Sequence, residues 1–514
     1  MASKTRTQKA IYNSLFTLWL FPLGFLLQFI NRNLFIHFLG IYYLGLNGVF
    51  SSILGVLSLA ELGVGASIIF ALYKPVAKQD HSKIAAYMQL YQKIYRFIAL
   101  VIFALGLVIL PFLKTILQVE SLSQEVIAIY LLFLANSVIG YLLFAYKRSL
   151  LIVHQETYII SGIEFIILLF TMIIQWGMMA LTHHYILILC ITILSKILSN
   201  VVIAYIVTKR YPMKDVVATP LTQEEKQSLK KNVLGNLAAN ISFVIVFSTD
   251  NILMSSFISV AAVGLYSNYT MITKAFDSLL SQLMSSQNAS VGNLIHTSSS
   301  EKIYDVFKRY NFLNFALSFI GSLLIFVLIN PFITLWIGKD YLLSSQIVLL
   351  LSMYVFMQTY RYSGFIFYSA YGLYWESRYK PIVEAVLNLV FSLLFLVVFK
   401  WGVSGILVGT ICSTLLTNTW FEPYIIFKYG LKRTMKEYIW INIQQWLVYF
   451  VTLFGLYFMA PQRWFASSFL GWFQLAIVAG SSLTVLLLVV FHKNKTLRWW
   501  VDFVRTRLIK KRLS

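Results

Sequence analysis

Seven charged side chains stand out within long, mostly apolar runs, and chemistry is to be sought there first. The bases are Arg32, Lys196, Lys274 and Arg361, and the acids are Glu61, Asp250 and Asp277. A charge at bilayer depth costs roughly 2.5–3.5 kcal/mol on insertion scales, so each needs a partner, water or a task. Four bases around one space would favour an anion, and an arginine fork matches phosphate oxygens two at a time. Deep carboxylates either take up a proton or cation, or balance a neighbouring base; residue type alone leaves both readings open. Arg32 lies nearer one end of its run, where snorkelling is the alternative. Lys274 has Asp277 three residues on, where a local ion pair is the alternative.

Uncharged polar residues extend the pattern. Asn47, Ser51, Ser58 and Glu61 follow one another at steps that put them on one helical face. Tyr266, Thr270, Lys274, Asp277, Ser278, Ser281 and Ser285 do the same over four turns. Asn240 and Asn251 are three turns apart on one face, beside Asp250. Lipid penalises such faces, so they should line water or the protein interior. A central cavity is the reading the four-turn stripe favours over interhelical hydrogen bonds in a closed core. Glu164 and Glu384 lie near helix ends and are candidates for a gate or hinge. Cys190, Cys412 and seven scattered histidines form no metal-ligand spacing, and no nucleotide loop or Ser/His/Asp arrangement stands out. No metal, no cofactor and no enzymatic activity are expected.

The elements that must carry these residues are membrane helices. Of 514 residues 59% are hydrophobic and only 12% charged, and the mean hydropathy is +0.76. Such a balance excludes an ordinary soluble domain. Fourteen apolar runs are long enough to cross a bilayer: 15–39, 42–72, 90–113, 124–147, 157–181, 185–208, 233–258, 262–290, 310–333, 345–371, 381–400, 402–427, 438–460 and 469–492. They lack the ten-residue alternation of barrel strands. With the N-terminus inside, the inner segments hold 33 of the 41 Lys+Arg and the outer loops hold 4 (Lys114, Lys339, Lys400 and Arg463). That split fixes the expected orientation, with both termini cytoplasmic. Lys4, Arg6 and Lys9 precede the first run, which reads as a retained helix. The net charge of +22 is spread over eight short loops, which argues against nucleic-acid binding.

The chain also repeats itself at an offset of about 219 residues. Gly45-Leu46 recurs as Gly264-Leu265, Pro111-Phe112 as Pro331-Phe332, and Glu156 with Glu164 as Glu376 with Glu384. Arg32 corresponds to Asp250, and Asn47, Ser51 and Ser58 correspond to Tyr266, Thr270 and Asp277. In a membrane protein such duplication signals a transporter whose site lies between the halves. The expected fold is therefore an all-α polytopic membrane protein with fourteen transmembrane helices. It divides into an N-terminal lobe (1–208), a cytoplasmic linker (209–232), a C-terminal lobe (233–430) and two added helices (431–492). The lobes are related by an axis along the membrane normal. Thr222 and Glu225 in the linker match a capping box. A basic tail (493–514), with Leu497, Val501, Val504 and Leu508 at helical spacing, should lie on anionic lipid.

The segment YLGLNGVFSSILGVLSLAELGVGASIIFALYKP (43–75), STDNILMS (248–255) and GLYSNYTMI (264–272) resemble bacterial polysaccharide-export flippases. These share a superfamily with multidrug and toxin extrusion transporters and lipid II flippases. The resemblance covers the first twelve helices, and fourteen spans resemble the lipid II flippase branch. It implies alternating access by two six-helix lobes in the bacterial cytoplasmic membrane. It implies an undecaprenyl-diphosphate-linked oligosaccharide as cargo, H+ or Na+ coupling, and service to capsule or exopolysaccharide synthesis. Membrane lipids, a polysaccharide polymerase and glycosyltransferases are the partners that go with that role. Lipid II or teichoic-acid precursors remain alternative cargo, and drug or cation export a further one.

Overall fold

The computed structural model describes residues 6–61, 63–213, 216–459 and 466–512; the side chains of 6–19, 21, 60, 238–243, 245–247, 289, 504 and 507–512 are outside the description. Lys4 and the side chains of Arg6, Lys9, Asn240, Val504 and Leu508 therefore lie outside the described residues. Twenty α-helices follow one another, and no strand occurs among the described residues. They are α1 (Arg6–Leu39), α2 (Ile41–Leu57), α3 (Val64–Ala77), α4 (His81–Ile109), α5 (Leu113–Leu117), α6 (Gln124–Leu142), α7 (Arg148–Val153), α8 (Thr157–Thr182), α9 (Tyr185–Arg210) and α10 (Gln223–Phe257). The chain continues with α11 (Val260–Ser285), α12 (Asn288–Thr297), α13 (Ser300–Trp336), α14 (Ser345–Tyr360), α15 (Tyr362–Tyr371), α16 (Lys380–Leu393), α17 (Gly402–Ile425), α18 (Lys436–Phe458), α19 (Phe469–Val490) and α20 (Lys495–Arg512).

Each of the fourteen apolar runs lies on helix, but they are not fourteen equal spans. Among the described residues nine helical segments are long and apolar enough to cross a bilayer, and α1 and α2, joined at 119°, make a tenth if taken together. The runs outside the nine are the first, second, seventh, eighth and tenth. These are the runs that carry the polar stripes, Asp250 and Arg361. The polarity that marks them as candidate site helices also lowers them as lipid-facing spans.

Two breaks explain part of the difference. The second run is interrupted by a 3-10 turn at Ser58–Glu61 and by Gly63 at φ 87°, a conformation that favours glycine. The tenth run is interrupted at Arg361, which separates α14 from α15. Interrupted helix at membrane depth is tolerated where protein or a cavity supplies the missing partners.

The chain forms two compact units, Met1–Gly264 and Leu265–Ser514. The first unit takes in α10, because small and amide residues let it approach the helices before it. Asn236 donates to Ser67 (3.0 Å) and Asn251 to Ser52 (2.9 Å). Gly45 and Gly264, the glycines that mark the repeat, meet at one crossing: a Cβ on Gly264 would lie 2.5 Å from the Ile41 carbonyl oxygen and 3.2 Å from the Gly45 nitrogen. Close approach through small residues replaces hydrophobic burial as the driving contact between membrane helices.

The linker is fastened to the first unit. Thr222 and Glu225 form the expected capping box, and the helix they start runs on without a break into the seventh run. Lys83 Nζ donates to Glu225 at 2.8 Å. That lysine and the Thr222 N–H hold the Glu225 carboxyl below its ordinary value. A depressed value stabilises the fold above the unfolded carboxyl's pKa of ~4.3 and ceases to do so as pH falls through the folded value. Glu225→Gln should raise amide exchange over 222–226 several-fold at pH 7. Hydrogen–deuterium exchange corrected for intrinsic rates should show that gap closing below pH ~4.

In the second unit, α20 docks on α13. Trp500 donates its indole N–H to the Arg309 carbonyl (3.1 Å), and the Arg309 guanidinium lies 4.1 Å from the Trp499 ring centre. Of the expected apolar stripe, Leu497 is buried but Val501 is exposed. The docked face turns instead on the tryptophans, which hold Arg309 of α13 through the Trp500 N–H and the Trp499 ring face.

Candidate functional site

The first unit forms an open cavity of about 810 Å³ that brings together Lys196, Glu61 and Glu164 from the sequence candidates. Hydroxyl, amide and tyrosine groups (Ser195, Asn200, Thr171 and Tyr95 among them) alternate along its wall with apolar side chains such as Ile69, Ile152, Leu168 and Met172. A smaller cavity of about 180 Å³, lined by Asn47, Tyr185 and Asn136, shares Asn31, Gln175 and Thr192 with the first. The polar groups in these walls give a hydrated ligand partners that lipid cannot supply.

Each charge in this cavity has a built setting. Lys196 on α9 donates to the Asn136 carbonyl at 2.9 Å, and Gly140 on α6 leaves the room it occupies: a Cβ there would lie 2.8 Å from Nζ. Glu61, on the 3-10 turn, accepts from the Tyr95 hydroxyl (2.9 Å), which in turn accepts from Tyr91 (2.8 Å). Glu164 on α8 is ion-paired with Arg148, whose guanidinium also donates to Asn200 (2.9 Å) and Ser199 (3.3 Å) on α9. Arg148 on α7 thus ties α8, through Glu164, to α9.

The second unit carries the counterpart cluster. Arg361, at the α14–α15 break, makes a two-pronged bond to Glu422 on α17, Nε at 2.9 Å and Nη2 at 2.6 Å. Lys380 on α16 reaches Glu422 at 2.5 Å and Glu384 at 3.7 Å, and Asn418 donates to Glu384. Arg361 is therefore not an open anion receptor here: its fork is already filled by a carboxylate. Asp277 on α11 accepts from the Tyr362 hydroxyl at 2.6 Å.

The remaining candidates are scattered. Arg32 is half-buried on α1, Lys274 is exposed on α11, and Asp250 is buried on α10. Ser51 is exposed and donates to Asn47 (3.3 Å), and the Thr270 hydroxyl turns back to the Ser267 carbonyl of its own helix (3.2 Å). Asn251 is spent on Ser52, as above.

Sequence reasoning missed Arg148, Lys380 and the pairing of Glu422. A signal for part of this was present. Thr192-Ile-Leu-Ser-Lys-Ile-Leu-Ser-Asn200 recurs as Thr410-Ile-Cys-Ser-Thr-Leu-Leu-Thr-Asn418. It is among the best local matches of the repeat, and its asparagines are the ones that reach Glu164's partner and Glu384. Ser123 and Ser344, the N-caps of α6 and α14, align the preceding helices, so Gly140 corresponds to Arg361 and Tyr141 to Tyr362. Lys196 in turn corresponds to Thr414. Each unit thus places one cation at the same crossing, from the later helix in the first unit and from the earlier helix in the second.

This architecture is found in known transporters. The chain superposes on a lipid II flippase MurJ in an inward closed conformation with TM-score 0.61 at 15% identity, covering 93% of this chain and 99% of that one. A MATE protein in a bent conformation gives TM-score 0.53 at 12% identity over 80% of this chain and 94% of that one. A Vibrio cholerae MATE transporter gives 0.53 at 17% identity over 83% and 98%. The fold is thus shared with MurJ and the MATE transporters, and the long apolar helices make the protein a multi-pass membrane protein. No family model and no curated protein sequence matches the chain.

Proposed function

We propose that this protein is a flippase for a polyprenyl-diphosphate-linked oligosaccharide in the bacterial cytoplasmic membrane, working by alternating access. The observation that carries the reading is the cavity of about 810 Å³ among membrane helices, in which hydroxyl and amide groups and the cations Lys196 and Arg148 share the wall with apolar side chains. Sugars and a diphosphate cannot cross hydrocarbon unaided, whereas hydroxyl and amide walls and fixed cations replace their hydration shell. The prenyl chain needs no such path and stays in lipid. Arg32, Lys274 and Arg361 are the further candidates for contact with the anionic head. Glu61, Asp250 and Asp277 are the candidates for H+ or Na+ coupling. The MurJ alignment spans 93% of the chain and the MATE alignments 80–83%, which favours a lipid-linked cargo over a drug or cation. Lipid II or a teichoic-acid precursor is the alternative cargo of the same class. No enzymatic step is part of the proposal, and the partners would be the enzymes that build and polymerise the cargo.

Purified protein in proteoliposomes should move a fluorescent polyprenyl-diphosphate oligosaccharide between leaflets. Lys196→Met should reduce the rate at least tenfold. Gly140→Arg combined with Lys196→Thr, which gives the first unit the arrangement of the second, should restore a measurable part of it. No movement by the parent protein would overturn the reading. Full activity of Lys196→Met would remove the lysine from it.

A further inference from the structure

We infer that Glu422 is a resident anion: it fills a diphosphate-binding fork made by Arg361 and Lys380, and cargo takes its place. This rests on the flippase reading for the identity of the cargo. The geometry supports the exchange in three ways. First, Glu422 receives both prongs of Arg361 and the Lys380 ammonium, at 2.9, 2.6 and 2.5 Å. That is the donor set an arginine and a lysine present to a phosphate. Second, the cluster is balanced: two bases, Arg361 and Lys380, face two acids, Glu422 and Glu384. Glu384 is also held by Asn418 from α17, one turn before Glu422. Departure of Glu422 would leave a net positive pocket with Glu384 still fixed. Third, both partners sit where the backbone is interrupted. Arg361 divides α14 from α15, and Glu422 precedes Pro423, after which α17 widens into a π-type segment at Ile426–Leu431. Such interruptions are where helices bend. Partial exposure of both side chains, 23% for Arg361 and 15% for Glu422, gives an anion an approach.

The exchange accounts for a deep arginine whose charge is balanced by a carboxylate until cargo arrives, as bilayer depth requires. It also gives selectivity, because a neutral ligand has nothing with which to displace a carboxylate.

The test is binding, not transport. Purified full-length protein is titrated by calorimetry with inorganic pyrophosphate and, separately, with geranyl diphosphate. Glu422→Gln should bind both at least tenfold more tightly than the parent, and Arg361→Ala with Glu422→Gln should lose that gain. Tightening for geranyl diphosphate alone would assign the fork to a lipid headgroup; tightening for both assigns it to the diphosphate itself. Unchanged or weaker binding by a Glu422→Gln protein that melts within a few degrees of the parent overturns the proposal. If that variant does not fold, Glu422→Asp carries the test, with a several-fold tightening expected and none overturning it. A protein that fails to flip the lipid but shows the tightened binding sinks the flippase reading and leaves this one standing. One that flips without the tightening sinks only this one.

Discussion

Gly45→Val is expected to leave little or no folded protein, with Gly264→Val close behind. A Cβ at Gly45 would fall within the radius of the Val260 carbonyl oxygen, and one at Gly264 would lie 2.5 Å from the carbonyl oxygen of Ile41. Both obstacles are backbone, so neither can rotate away; the helices must part. Overpacking a close crossing costs about 3 kcal/mol, and parting also forfeits the contacts from Asn251 to Ser52 and from Gly48 to Val263. Even Gly45→Ala should lower the melting temperature measurably, since the first carbon already clashes. Gly177→Ala is the control: nothing lies within 4 Å of a Cβ there, and a helical glycine-to-alanine change stabilises by roughly 0.5–1 kcal/mol. Size-exclusion yield and melting curves in detergent would read all four variants. A monodisperse Gly45→Val protein with the parent's melting point would refute the crossing.

The same pair shows why much of the fold was legible. Gly45 and Gly264 recur in the sequence because the structure uses both copies at one crossing, where only glycine fits. Each apolar run became helix, since period and length both mark a span. The 3-10 turn at Ser58–Glu61 was hidden because leucine and valine flank it, so hydropathy passes over a break that Gly63 and Gly65 mark.

The site was less legible than the fold, and the reason is partnership. Periodicity says which face a residue occupies, not what reaches it across the bundle. Arg361 and Glu422 are 61 residues apart, and nothing local ties them. Arg148 read as one more basic residue at a span end, although it ties Glu164 to Asn200. The nine-residue match from Thr192 and from Thr410 carried the missing information, because serine, threonine and asparagine were kept where lipid-facing positions are free to drift. Reading the repeat for polar matches, and not only for glycine and proline, would have placed both clusters on their helices.

Arg361→Ala is expected to abolish transport and to cut the yield of folded protein, and the two losses can be separated. Removing the guanidinium leaves one ammonium, Lys380, against two acids, Glu422 and Glu384. Breaking a buried pair from one side costs about 3–5 kcal/mol, whereas removing both members costs far less. Arg361→Ala with Glu422→Ala should therefore recover most of the yield and melting temperature. It should not recover flipping, because the fork that meets the cargo is gone. A purely structural ion pair predicts the opposite second result, with transport returning alongside stability. Measuring melting and flipping on the same four proteins (parent, two singles and the double) decides between them: a double variant that flips at more than half the parent's rate would reduce Arg361 to scaffolding.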